Sequence, residues 1–442
     1  MCEGAYTECR GGVTPPLLQA RDPMARILIL TPQLPYPPQS LTGRMQGTTI
    51  RNFNLIAGLS RRHTIDLLTF AEPGTDDISL LQPYCARVAA EPPPQRSLWR
   101  RGLDTLVNPL PDMALRLGCS EMHRRMATLL AEERYDILQV EGIEMAPYVL
   151  GVPPSARPRI VFDDHNAEYL LQKRNCLTDA RRPARWLAAL YSFIQWQKLA
   201  IYERRVCRAA SAVVAVSEAD RQAICQLARG LPVTVVPNGV DLEFYRPGAV
   251  GAGSPRPYRR EGVAPEQAMG AHSLVFTGKM DYRPNVDAVL WFAKAVLPLI
   301  RARVPDARFY VVGQQPHARL QPLEQDAAVV ITGRVPDVRP YIAGAGVYVV
   351  PLRVGGGTRL KVLEAMAMGQ AIVSTRLGCD GFQFTDGQEV YFADDPETFA
   401  TSVIALLLDR QRAEALGHAA RAHVAAHFGW DTIVPLMESV YS

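Results

Sequence analysis

The chain has 442 residues, 48% of them hydrophobic and 21% charged, with a formal net charge of +4. That length exceeds what one hydrophobic core normally holds, so two globular domains are expected. The composition excludes a disordered or fibrous protein. The small net charge, without an aromatic-interleaved basic run, argues against nucleic acid as a partner.

Residues 1–23 contain Cys, Glu, Gly and Pro but no apolar h-region, so they do not read as a secretory signal. They read as a disordered leader or a misassigned start, with Met24 opening the folded part. No apolar run reaches the ~18–20 residues that a membrane-spanning helix needs. The eight cysteines are scattered without a C-x-x-C pair, which argues against a zinc site and a disulfide framework and for a reducing compartment.

Strand candidates in the first half are Arg26–Thr31, Thr64–Phe70, Asp136–Val140, Arg159–Asp163 and Ala212–Ser217. Helical patterns separate them, as in parallel sheets with helical crossovers. Basic pairs recur in this half, among them Arg100-Arg101 and Arg181-Arg182. Two segments, Leu98–Leu117 and Ala184–Arg208, combine arginines with Trp99, Trp186, Tyr191, Phe193 and Trp196. Each reads either as an amphipathic helix on its sheet or as peripheral contact with an anionic membrane.

Pro237-Asn238-Gly239 is a turn signal that marks the boundary, and residues 247–270, rich in Pro, Gly and Ala, read as a linker or insertion. A second strand set follows: Ser273–Gly278, Arg308–Gly313, Ala328–Gly333, Gly346–Pro351, Ala371–Thr375 and Val390–Ala393. Two such sets predict two doubly wound α/β domains.

Gly355-Gly356-Gly357-Thr358 leads into a helix carrying Arg359, Lys361 and Glu364 and stopped by Gly369. Thr358 is the expected N-cap, and Leu360, Leu363 and Ala367 the buried face. Cations in a first helical turn oppose the helix dipole unless an anion binds the exposed amides, so the segment points to a phosphate-bearing ligand. Glu364 has two readings: acceptor for ribose hydroxyls, or a surface carboxylate paired with Lys361. The triple glycine, which permits close backbone approach, favours the first. Ligands of open α/β sheets bind beyond the carboxyl ends of the strands. That rule singles out His165 in Asp163-Asp164-His165-Asn166, Gly47 in the loop before a helix starting near Arg51, and Lys279, Arg283 and Asn285 after Ser273–Gly278.

Together, Leu34-Pro35-Tyr36-Pro37-Pro38, Asp163–Glu168, Val216–Asp220, Val236–Asp241, Phe276–Asn285 and Gly355–Gly369 resemble glycosyltransferase family 4, the retaining group 1 glycosyl transferases of GT-B fold. The resemblance runs from about Arg26 to Tyr441. It implies an N-terminal acceptor domain (24–236), a nucleotide-sugar domain (237–429) and a final helix (430–442) that crosses back onto the first. It implies that Glu364 holds the ribose, that Arg359 and Lys361 hold the diphosphate, and that His165 reaches the donor sugar. Gly47 would approach the phosphate, with Gly356, Gly357 and Thr358 lining it, and Arg334 and Val335 would meet the base. Two departures stand out. Gly356 occupies the place of the first glutamate of the E-x7-E motif, as in a glycine-rich branch of the family, and residues 40–46 look inserted ahead of Gly47.

The expected activity is metal-independent hexosyl transfer from a nucleotide-diphosphate sugar to a glycan or lipid-linked acceptor in cell-surface or exopolysaccharide assembly. The setting is cytoplasmic, at the inner face of the membrane, with no cofactor beyond the co-substrate. A nucleotide-sugar epimerase of the same fold and a non-catalytic nucleotide-sugar-binding protein are the alternatives.

Overall fold

The computed structural model describes residues 25–37, 47–153, 157–181, 183–248, 269–355, 357 and 359–442. The leader, the segment 40–46 and most of the segment 247–270 singled out above lie outside these residues, as do Gly356 and Thr358.

The first half builds a seven-stranded parallel sheet from β1 (Arg26–Thr31), β2 (Thr64–Phe70), β3 (Arg87–Glu91), β4 (Ile137–Glu141), β5 (Arg159–Asp164), β6 (Ala212–Ala215) and β7 (Val233–Val235). Its order is β3-β2-β1-β4-β5-β6-β7. The second half builds a six-stranded parallel sheet from β8 (Ser273–Thr277), β9 (Arg308–Val312), β10 (Val329–Gly333), β11 (Val347–Val350), β12 (Ile372–Ser374) and β13 (Tyr391–Phe392), ordered β10-β9-β8-β11-β12-β13. Strands covered by helices on both faces are apolar throughout rather than alternating. The central strands β1 and β8 show this, with Ile27 to Leu30 and Leu274 to Phe276 buried.

In both sheets the strand order reverses beside the first strand, between β1 and β4 and between β8 and β11. Such switch points open a crevice at the carboxyl ends of the strands. Two strands were not expected from the sequence. β3 is an edge strand with a mostly half-exposed pattern, and β7 is only three residues long.

The connections between the halves run side by side: Val240 N–H donates to Phe428 O at 2.8 Å, and Val240 bridges Gly429. The chain then returns as the helix Trp430–Tyr441, whose Ile433, Val434, Met437 and Val440 join the core beneath the first sheet together with Leu55, Ile56 and Leu59.

One buried ion pair ties this arrangement together. Arg51, on the helix Gly47–Leu59, donates through Nε (3.1 Å) and Nη2 (2.9 Å) to Asp163 Oδ2, and through Nη1 to Pro237 O (2.9 Å) and Asn238 Oδ1 (3.2 Å). Both members are essentially inaccessible, at 1% and 0% exposure. Removing one partner of such a pair strands the other charge and costs about 3–5 kcal/mol. Arg51→Met is therefore expected to lower the melting temperature by many degrees at pH 8. The loss should shrink as pH falls, because Asp163, whose pKa is already raised by burial against the pull of Arg51, then takes up a proton more readily and no longer strands a charge. A variant that melts like the parent at pH 8 would show that the pair does not hold the fold.

Candidate active site

The sequence places a helix after the glycine run, and the helix is Leu360–Ala367. It starts one residue later than expected from a Thr358 cap. Arg359 is the N-cap residue, with no side-chain capping bond. At the other end Gly369 adopts φ +71°, its N–H donates to Met366 O, and Gln370 N–H donates to Ala365 O. These are the paired bonds of a Schellman stop. Val362, Leu363, Ala365, Met366 and Ala367 are buried, whereas Leu360 is only partly so, because it points at the first half of the molecule.

Lys361 lies in a pocket of its own. Its Nζ donates to Asn285 Oδ1 at 3.0 Å and stands 4.0 Å from the centroid of the Phe276 ring. Asn285 is oriented by its own bond to Lys279 O at 2.8 Å. A Cβ on Gly278 would come within 2.7 Å of Nζ and 2.8 Å of the Asn285 amide, so the glycine makes room for the charge. Burial, reinforced by the neighbouring Arg359, brings the Lys361 pKa down to about 7, with Glu364 opposing.

Arg359 is 9% exposed, and burial lowers its pKa despite Tyr282 and Asp380. Glu364 is not the surface partner of Lys361. It is partly buried and hydrogen-bonds the hydroxyl of buried Tyr245, and burial raises its pKa. Two desolvated cations therefore stand next to glycines, Arg359 beside Gly355 and Lys361 beside Gly278.

The other expected positions divide. Lys279 pairs with Asp281 at 3.3 Å and is half exposed, so it is a surface cation rather than a member of the Lys361 pocket. Arg283 reaches across to Asp179 at 3.1 Å, joining the second half to the helix Glu168–Ala180 of the first. Arg334 and Val335 follow β10, Arg334 exposed and Val335 packed on the core.

Opposite the glycine loop, β5 ends in the turn that carries His165. Its Nε2 lies 2.8 Å from Oε2 of Glu141, the last residue of β4, which is 1% exposed. Burial works against the imidazolium, but the Glu141 hydrogen bond and the fields of Asp163 and Glu141 outweigh it and raise the pKa. The turn is braced from below. Glu203 accepts from the N–H groups of Glu168 (3.1 Å) and Tyr169 (3.0 Å), and Asp220 accepts from Ala167 N–H at 3.1 Å. These carboxylates do what the Ala167 side chain cannot, since it offers no cap to the helix Glu168–Ala180.

Ligand-type atoms of Glu141, Asp163 and His165 come within 4.8 Å of one another. The Arg51 guanidinium already occupies Asp163 Oδ2, and its charge opposes a cation there.

Besides the Arg283–Asp179 pair, the two faces approach closely at Gly357 and at Gly47. A Cβ on Gly357, where φ is +80°, would lie 2.6 Å from Asn166 Oδ1, and one on Gly47 would lie 3.1 Å from Leu360 Cδ1. Gly47 is itself the first residue of its helix, which begins four residues before Arg51. Beside His165, within the first half, opens a cavity of about 490 Å³ lined by Tyr36, Glu72, Asp76, Arg116, Glu144 and Glu168 among others. Burial, then Glu144 and Glu203, push the Glu168 carboxyl up to about 8, so at neutral pH it offers a hydrogen-bond donor. The sequence reading passed over Glu141, Tyr245 and, of this lining, Glu72, Asp76, Arg116 and Glu144. Glu141 shares the strand-end signal that marked His165, but the others have none.

Two family models match consecutive parts of the chain: Glycosyltransferase Family 4 over residues 45–244 and Glycosyl transferases group 1 over residues 271–409. A GDP-mannose-dependent alpha-(1-6)-phosphatidylinositol monomannoside mannosyltransferase of Mycobacterium tuberculosis is 29% identical over 213 residues, 45% of this chain and 52% of that protein. A phosphatidyl-myo-inositol mannosyltransferase of Mycolicibacterium smegmatis is 28% identical over 235 residues, 52% and 56% of the two chains. The chain thus matches about half the length of these curated relatives. Among solved structures, sucrose-phosphate synthase of Thermosynechococcus elongatus superposes with a TM-score of 0.68 at 16% identity, covering 94% of this chain and 98% of that one. At that identity the likeness speaks for the GT-B architecture alone.

A buried cation kept near its neutralisation point costs stability that a ligand anion would recover. The Lys361 pKa is lowered from that of the unfolded chain, so between about pH 7 and the ordinary lysine range the unfolded state binds the extra proton and stability rises with pH. Lys361→Met should therefore melt higher than the parent at pH 6 and lose that advantage by pH 10. Equal melting of the two proteins at pH 6 would mean that the pocket carries no charge penalty.

Proposed function

The chain belongs to the group 1 glycosyl transferases of glycosyltransferase family 4, and on that premise we propose that it is a retaining, metal-independent hexosyltransferase. It moves a sugar from a nucleotide-diphosphate donor to a hydroxyl of a glycan or lipid-linked acceptor. The observation that carries this reading is the pair of desolvated cations Arg359, beside Gly355, and Lys361, beside Gly278, at the start of the helix that follows Gly357, which itself abuts Asn166 of the His165 turn. Charge-assisted bonds from such cations are worth roughly 1.5–3 kcal/mol each, and in a partly dry site they neutralise a leaving diphosphate without a metal.

In the reaction the bond between the anomeric carbon and the phosphate oxygen breaks, and the diphosphate leaves with the electron pair. The acceptor oxygen forms its bond to the same face, and its proton passes to the departing phosphate oxygen, so configuration is retained. Lys361 and Arg359 balance the charge that develops. His165, its ring held by Glu141, orients the sugar. Glu364 binds the ribose hydroxyls, with Tyr245 holding the carboxyl in place.

The cavity beside His165 takes the acceptor. Its carboxyl-rich lining suits a polyhydroxylated group, because each carboxylate accepts bonds from hydroxyls. The relatives' printed names, which join GDP-mannose to phosphatidylinositol acceptors, support a hexose donor and a lipid-linked acceptor here as well. We place the reaction at the cytoplasmic face of a membrane, in cell-surface or exopolysaccharide assembly.

A panel of nucleotide sugars tests the reading. The right donor at ~100 times its dissociation constant should stabilise the protein by about 2.7 kcal/mol, and turnover with acceptor should persist in EDTA. Loss of activity in chelator with recovery in Mg²⁺ or Mn²⁺ would sink the metal-free mechanism. His165→Ala is expected to lower kcat at nearly unchanged donor affinity, whereas Glu364→Ala should act chiefly on donor binding. The reverse pattern would exchange their roles.

The membrane assignment rests on two neighbouring helices. Leu98–Val107 exposes Trp99 (91%), Leu103, Leu106 and Val107, and Trp186–Ala209 exposes Trp186, Leu187 (86%) and Leu190. Gln195 and Lys198 clasp the first helix through Thr105 and Asn108. With Arg100 exposed on the first helix and Arg181 exposed at the end of the preceding helix Glu168–Ala180, the chemistry fits an anionic lipid surface. Sedimentation with phosphatidylglycerol vesicles should carry the parent down and leave Trp99→Glu/Leu187→Glu in solution. Equal binding by both proteins would remove these helices from the contact.

A further inference from the structure

The helix Trp430–Tyr441 comes back from the second half to pack on the first, and its last residue reaches further than packing requires. The Tyr441 hydroxyl donates to Gln139 Oε1 on β4. Gln139 donates through Nε2 to Glu141 Oε1, and the other oxygen of Glu141 lies 2.8 Å from His165 Nε2. Gln139 and Glu141 are two positions apart on one strand, so they share a face, and each is 1% exposed. Polar side chains so deeply buried need their hydrogen bonds made, yet a parallel strand is ordinarily apolar at such positions.

We propose that Tyr441 is a positioning residue for His165, acting through the relay Tyr441–Gln139–Glu141. The reason lies in the symmetry of the amide. A glutamine has a donor end and an acceptor end of nearly the same shape, and only its neighbours decide which way it points. The phenol O–H can satisfy Oε1 and so turns Nε2 toward the carboxylate. Without it Nε2 stays on the carboxylate but Oε1 is left buried without its phenol donor. Gln139 then shifts to recover a partner, which loosens its hold on Glu141 and so the hold of Glu141 on the imidazole. The terminal helix thus sets the geometry of the strand-end histidine from the opposite end of the chain. This rests on the assignment of His165 to the reaction centre.

The charged and titratable groups facing His165 are Glu141 on β4, Asp163 on β5, Arg51 on the helix Gly47–Leu59, Glu168 at the start of the following helix, and Glu144, which shares the space around Gly142 with the imidazole. Burial and Arg51 disfavour the imidazolium, while Glu141 and Asp163 favour it. Releasing Glu141 therefore moves the titration of His165 downward.

Tyr441→Phe keeps the ring that meets His63 edge to face at 5.8 Å, so the helix retains its packing. In ¹⁵N-histidine NMR, the His165 signal, identified by its loss in His165→Ala, should titrate lower in Tyr441→Phe by about half a unit or more. Gln139→Leu should give the same displacement. In the transfer assay kcat should fall several-fold at unchanged donor KM. An unmoved His165 midpoint in both variants overturns the relay, as does a displaced donor KM with unchanged kcat. A shifted midpoint in a protein that turns over no nucleotide sugar would keep the relay and reject the transferase reading instead.

Discussion

Arg51 is the residue on which the geometry of the cleft depends. Its guanidinium joins the helix that begins at Gly47, the strand that ends beside His165, and the Pro237-Asn238 segment that leads into the second half. A lysine could supply the charge but not the fan of directed donors, since an ammonium is a point charge and a guanidinium is a planar fork. The pair with Asp163 is too deeply buried to stabilise much by Coulomb attraction alone. Its value is directional. It allows the strand end, the glycine approach and the inter-half crossing to be held in one mutual arrangement.

Around that anchor the cleft is electrically divided. The second half offers Arg359, beside Gly355, and Lys361, beside Gly278, both desolvated. The first half offers carboxyls: Glu72, Asp76, Glu144 and Glu168 around the cavity, with Glu141 behind His165. Desolvated cations on one side attract a phosphate-rich ligand, whereas the other side offers chiefly carboxyl hydrogen-bonding groups, with Arg116 paired to Glu144 among them. The division separates a side that favours anionic groups from a side rich in hydrogen-bond acceptors.

Burial of so much ionisable chemistry is affordable only because the scaffold is rigid. Carboxyls of Glu203 and Asp220 hold the amides of the His165 turn, and Glu203 is itself pushed up to about 7 by burial, against the bonds from those amides. Lys361 leans on an aromatic face and one amide oxygen. These groups favour their charged forms less than they would in water, so a ligand or a proton changes their state readily. Perturbed titration of this kind is characteristic of functional sites.

The sequence by itself determined the two α/β sheets, nearly every strand to within a residue or two, the glycine-fed helix with its Schellman stop, and the strand-end position of His165. Those features are local. Doubly covered strands are continuous apolar runs, glycine is required where φ is positive, and ligands gather at strand ends whatever the remaining chain does. An edge strand such as β3, with its half-exposed pattern, carries too weak a signal. Thr358 was the reasonable cap on composition, but the helix begins a residue later, with Arg359 as its N-cap. What only the tertiary structure decided are the pairings. Glu141 meets His165 across 24 residues, Arg51 meets Asp163 across 112, and Tyr441 meets Gln139 across 302. No periodicity links such positions, since their proximity is created by strand order and by the return of the last helix. The pKa values that give the site its chemistry follow from that proximity and from burial, neither of which is written in the residues themselves.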